Sequence, residues 1–136
     1  MGYSSALEAA GCTILAFEKF GSYQGDWWAK VQYDGAQGWI HGSYGSCSGC
    51  DAFEAEFGWG GSEKCPEHEF HYGKEEIQCV DCRIARDKYL MRLADFGRGY
   101  LPPMTQEEAE KAAAQNIEWD SEVEEMVAFV KGNACA

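Results

Sequence analysis

Apolar and polar residues alternate with a period of two across the first third of the chain, and this pattern predicts three strands. From Cys12 to Phe20, Ile14, Ala16 and Glu18 fall on one face, and Thr13, Leu15, Phe17 and Lys19 on the other. Gly21-Ser22-Tyr23-Gln24-Gly25 has the composition of a turn. Asp26 to Tyr33 predicts a second strand, with Trp27, Ala29, Val31 and Tyr33 on one face and Trp28, Lys30 and Gln32 on the other. Asp34-Gly35 is a strong hairpin signal, although a loop spanning Asp34 to Gly38 also fits, and Gln37 to His41 supplies the third strand. The expected product is an antiparallel meander over 12–41.

Elsewhere the period is helical. Ser5-Ala6-Leu7-Glu8 reads as a capping box opening a short helix at 6–10, with Gly11 as its stop. Asp51 to Phe57 predicts one or two helical turns in which Phe53 and Phe57, four apart, pack together. A helix is expected over 83–97, with a stripe of Tyr89, Leu93 and Phe96 widened by Leu90 and Ala94, and Pro102-Pro103 ends any continuation. Thr105-Gln106-Glu107-Glu108 is a second capping box, launching a helix to Gln115 with Ala109, Ala112 and Ala113 inward. Ser121-Glu122-Val123-Glu124 is a third, ahead of Val123, Met126, Val127 and Val130 at i, i+3, i+4 and i+7, with Gly132 at the end. The expectation is an α+β fold in one domain over 1–136: a small antiparallel β-meander packed by C-terminal helices (83–136), with a zinc-ribbon-like, metal-binding insert at 62–82.

That insert carries the candidate chemistry. Cys65-Pro66-Glu67-His68 and Cys79-Val80-Asp81-Cys82 give C-x2-H-x10-C-x2-C. Each pair lets two ligands of one turn face one ion, and three thiolates with one imidazole form a closed tetrahedral set for structural Zn2+. Thiolates disfavour Mg2+ and Ca2+. Alternative ligands are Cys47 and Cys50, a further C-x2-C pair, and His71 in place of His68. Cys12 reads as a small buried hydrophobe and Cys135 as part of a frayed tail. His68-Glu69-Phe70-His71 departs from zinc-protease motifs because its histidines are three apart rather than four. Cys47-Ser48-Gly49-Cys50 also permits a thiol redox role, without the βαβ context that usually accompanies one.

Charge narrows the function classes. The chain has 136 residues and a formal net charge of -12, from 23 acidic against 11 basic side chains, which argues against gripping nucleic acid directly. The hydrophobic fraction of 46% is enough for a real core. No apolar run is long enough to span a membrane, and no secretion signal is evident at Met1-Gly2-Tyr3-Ser4-Ser5, so a reducing cytoplasm is the expected location and the 7 cysteines read as ligands or buried thiols. The acids are uneven: residues 1–62 carry 7 acids and 2 bases, 63–103 carry 8 and 7, and 104–136 carry 8 and 2. Arg83, Arg86, Lys88 and Arg92 form the one cationic cluster in the sequence, read as a solvated helix face. Glu107, Glu108, Glu110, Glu118, Asp120, Glu122, Glu124 and Glu125 either solubilise the helices or imitate a phosphate backbone before a basic groove.

Two resemblances bear on function. Asp26-Trp27-Trp28-Ala29-Lys30-Val31-Gln32-Tyr33 with Asp34-Gly35-Ala36-Gln37-Gly38-Trp39-Ile40-His41-Gly42-Ser43-Tyr44 resembles the central hairpin of bacterial SH3-type repeats. It implies a groove lined by Trp27, Trp28, Trp39 and Tyr44 for a peptide or glycan. Gly38–Phe57 and Thr105–Trp119 resemble small acidic phage-encoded proteins of unknown function, a context that implies an inhibitor of host defence machinery, including CRISPR effectors. The preferred expectation is a non-enzymatic, zinc-stabilised binding protein whose partner is a host protein with a basic surface. It would be contacted through the carboxylates of 107–125 and exposed aromatics Trp28, Tyr44 and Trp59. A thiol or zinc enzyme is the lesser alternative.

Overall fold

A computed structural model describes residues 2–45, 51–57, 80–115 and 120–135. Helix α1 (Tyr3–Ala9) leads into strands β1 (Thr13–Gly21), β2 (Gly25–Tyr33) and β3 (Ala36–Tyr44). Helices α2 (Ala52–Phe57), α3 (Val80–Arg98), α4 (Gln106–Ala114) and α5 (Asp120–Gly132) follow. The strands form an antiparallel meander with β2 in the centre. Asp34 and Gly35 both have positive φ, 52° and 81°, and Tyr33 pairs with Ala36, so the β2–β3 turn is the two-residue type I′ loop that Asp-Gly favours. The third strand is longer than 37–41 because pairing continues until Tyr44 meets Gly25.

Alternation along β2 is as expected, and both faces are covered. Trp27, Ala29 and Val31 join Ile40 and Tyr44 in one core with Tyr3, Ala6 and Leu7 of α1, Phe53 of α2 and Leu93 of α3. Trp28, Trp39 and Phe20 make the opposite core with Ala109 and Ala113 of α4 and Met126 and Val130 of α5. The C-terminal helices therefore do not share one side of the sheet: α3 lies on the α1 side and α4–α5 on the other. Each fully buried apolar side chain contributes about 1.5–3 kcal/mol, so Met126 and Val130 alone give α5 a firm seat.

Several element boundaries differ from expectation. The first helix begins at Tyr3 rather than 6, with Gly2 at its N-cap and no side-chain cap, so Ser5 is an interior residue. Burying the Tyr3 ring outweighs a polar cap. Its other end is as expected: Gly11 has φ 104°, Cys12 N–H donates to Leu7 C=O, and Gly11 N–H to Glu8 C=O, a Schellman closure. In β1 the register slips between Ile14 and Ala16, so Leu15 is extra, Ile14 and Phe17 both pack on the α1-side core, and Leu15 is exposed. Helix α3 starts at Val80, three residues ahead of the expected 83. The rest of 62–82 lies outside the described residues.

The Thr105 capping box is present, with Glu108 N–H donating to Thr105 Oγ1 and Thr105 N–H to Glu108 Oε1. Helix α5 starts at Asp120, one residue ahead of the expected box at Ser121. Leu90 is exposed rather than part of the buried stripe, whereas Ala94 is buried. Past α3, Leu101-Pro102 is cis, and Met104 exchanges two backbone hydrogen bonds with Trp39, covering part of the β3 edge.

Candidate functional site

The acidic helices are the best-described part of the expected site. Helix α4 buries Ala109 and Ala113 and α5 buries Met126 and Val130, so the inward stripes are apolar and the carboxylates are left on the other sides. Glu107, Glu108, Glu124 and Glu125 are exposed, and Glu110 and Glu122 are half-buried. Glu108 is partly engaged in its own cap. Glu118 and the Asp120 side chain lie outside the described residues. One side chain ties both helices to the sheet. Gln106 Oε1 accepts from Trp39 Nε1–H at 2.7 Å and from Cys135 N–H at 3.0 Å, while Gln106 Nε2–H donates to Val130 C=O. Lys30 Nζ donates to Ala134 C=O at 3.1 Å. The C-terminal segment is thus held at Ala134 and Cys135 rather than frayed.

The aromatic part of the expected contact surface is corrected. Trp28 is completely buried, stacked on His41 with ring centroids 4.6 Å apart, and its indole N–H donates to Met126 Sδ. Tyr44 is buried too, its hydroxyl donating to Phe20 C=O at 2.9 Å. Trp27 and Trp39 are fully buried as well. With helices on both faces, these four side chains line no groove open to a peptide or glycan. Trp59 lies outside the described residues.

Six of the seven expected metal ligands, Cys65, His68, Cys79, Cys47, Cys50 and His71, lie outside the described residues, and Cys82 is described only by its backbone in the first turn of α3. Among the described residues no three His, Cys, Asp or Glu side chains gather into a metal-holding group. Gly45 and Asp51 bracket Cys47 and Cys50 in sequence, and Gly45 N–H donates to Asp51 Oδ2 at 2.8 Å. Asp51 Oδ1 accepts from the Tyr3 hydroxyl at 2.7 Å, and the Tyr3 ring packs against Phe96 and Tyr100. This clasp therefore sits at the C-terminal end of α3. Cys82 is at the other end, about 21 Å from Phe96 at 1.5 Å per residue.

Sequence reasoning missed two buried carboxylates. Asp51 read as a helix-start residue; it joins β3, α1 and α2 in one hydrogen-bonded clasp, with Phe53 N–H also donating to the Tyr3 hydroxyl. Asp26, buried at the start of β2, has Oδ1 2.7 Å from His41 Nε2. A legible signal existed for the second: the two-residue turn at Asp34-Gly35 fixes Trp28 opposite His41 and Asp26 opposite Ser43.

Burial shifts the tyrosines of the α1-side core. Desolvation, reinforced by hydrogen bonding to Asp51, pushes the Tyr3 hydroxyl well above its usual range. Burial and the Asp51 charge push Tyr100 up to about 12. The folded state thus holds these protons more tightly than the unfolded chain, whose tyrosines titrate near ~10. Their contribution to stability is complete below that value and is lost as pH rises towards 12 and beyond. Base titration followed by near-UV absorbance and circular dichroism should show unfolding setting in above pH ~10, together with tyrosinate formation. Normal tyrosinate titration with the fold intact would contradict this. Burial also raises the Cys12 thiol, as suits an inert core cysteine.

No family model, curated protein or solved structure matches this chain. No helix among the described residues is long and apolar enough to cross a membrane.

Proposed function

We propose that the chain is a non-enzymatic acidic binding protein whose α4–α5 surface occupies the basic, nucleic-acid-binding site of another protein. The observation that carries this reading is the division of labour on those helices. Their apolar stripes are spent on the Trp28–Trp39 face of the sheet, and Glu107, Glu110, Glu122, Glu124 and Glu125 are left at least partly solvated. A set of fixed carboxylates on a rigid support steers and orients a cationic partner better than a flexible acidic tail. The resemblance of Gly38–Phe57 and Thr105–Trp119 to small acidic phage proteins supplies the context: an inhibitor made by a phage, acting in the host cytoplasm on a defence protein such as a CRISPR effector.

Zn2+ is part of the same proposal, held by Cys65, His68, Cys79 and Cys82, with His71 as a substitute for His68. The ligands of this set are closer in sequence than those of a set joining Cys47 and Cys50 to Cys79 and Cys82, so closing the loop costs less. The ion would supply no chemistry beyond linking the segment before α3 to its first turn, because four protein ligands leave no position for a water.

Immobilised protein incubated with a bacterial lysate tests the reading. It should capture nucleic-acid-binding proteins that added nucleic acid displaces. Reversing Glu107, Glu110, Glu124 and Glu125 to lysine should reduce capture at least about tenfold, equivalent to ~1.4 kcal/mol, without changing the thermal melt. Chelation should leave capture intact, since Ala109, Ala113, Met126 and Val130 seat α4 and α5 on the Trp28–Trp39 face of the sheet. Undiminished capture by the charge-reversed variant would reject this surface.

A further inference from the structure

We draw no further inference here: the strongest candidate, the pair of buried Asp26 and half-buried His41 beside Trp28 on the face of the sheet that receives α5, whose Asp26 Oδ2 has no hydrogen-bond partner, gathers no third metal-ligating side chain among the described residues, and nothing in the structure shows what would bind there.

Discussion

Trp28→Ala is expected to destabilise the protein by about 3–5 kcal/mol, the range for truncating a large aromatic in a packed core. Domains of this size are stable by only about 5–15 kcal/mol, so the variant should be partly unfolded or close to it. The indole is completely buried, stacks on His41, meets Trp39 edge-on with centroids 6.3 Å apart, and donates to Met126 Sδ at 3.2 Å. Removing it opens a cavity where α5 seats on the sheet, and the other side chains there cannot close it because Ala109 and Ala113 are already small. Urea unfolding followed by far-UV circular dichroism would measure the loss, and hydrogen exchange should show α4 and α5 losing protection first. Trp28→Phe keeps part of the volume and should cost less. A groove-lining tryptophan would behave in the opposite way: its removal would spare stability and abolish a ligand response. Stability within about 0.5 kcal/mol of the parent, as for an ordinary surface substitution, would contradict the burial of this residue.

The hairpin shows why parts of the fold were legible. Two signals agree there: strict alternation over Trp27 to Tyr33 and the Asp34-Gly35 pair, whose positive φ values only a few residue types accept. The register followed from that turn alone. Where a single signal stood without a second, the reading slipped. Leu15 is apolar and keeps the alternation of β1 formally intact, yet it is the extra residue of a bulge, which no residue type announces. Ser5-Ala6-Leu7-Glu8 has the letters of a capping box, but Tyr3 lies nearby and its ring packs, tilted, against Trp27, Phe53 and Phe96. Local propensity lost to tertiary burial. The stripe of α3 indicated that Tyr89, Leu93 and Phe96 are covered, and nothing in a one-dimensional period says by what. Which side of the sheet a helix takes is decided by close approaches such as Ala6 against Gly97.

The candidate site was legible in its composition and illegible in its exposure. Counting carboxylates located the acidic helices correctly, because apolar residues at helical spacing fix which sides remain for Glu107, Glu124 and Glu125. Counting aromatics failed for Trp28 and Tyr44. An amphipathic sheet predicts one wet face; the docking of α4–α5 on the second face turns Trp28 inward, and Tyr44 is buried in the core on the α1 side. The same limit hid the two acids. Asp26 and Asp51 look like strand-start and helix-start residues, and their burial depends on partners that sequence distance conceals: Tyr3 is 48 positions from Asp51.

Asp51→Ala is the second large expected effect, about 2–4 kcal/mol. Two contributions oppose each other. Taking a carboxylate out of the interior relieves a desolvation cost, which favours the variant. Against that, both oxygens are engaged, Oδ1 by the Tyr3 hydroxyl at 2.7 Å and Oδ2 by Gly45 N–H at 2.8 Å. Hydrogen bonds to a charged group are worth about 1.5–3 kcal/mol each, and truncating their shared acceptor strands two buried donors. The stranded donors dominate, so the net effect is destabilising. Tyr3→Phe keeps the ring packing and removes only the hydroxyl, and should cost about 1–3 kcal/mol. Combining the two should cost clearly less than their sum, because each single change already breaks the same bond. The damage should also be local: amides of α1 and α2, joined by this clasp, should exchange faster, while α4 and α5, seated on the other face through Trp28, Trp39 and Met126, keep their protection. Additive losses, or uniform loss of protection across both faces, would show that Asp51 does not act as the clasp between the end of β3, α1 and α2.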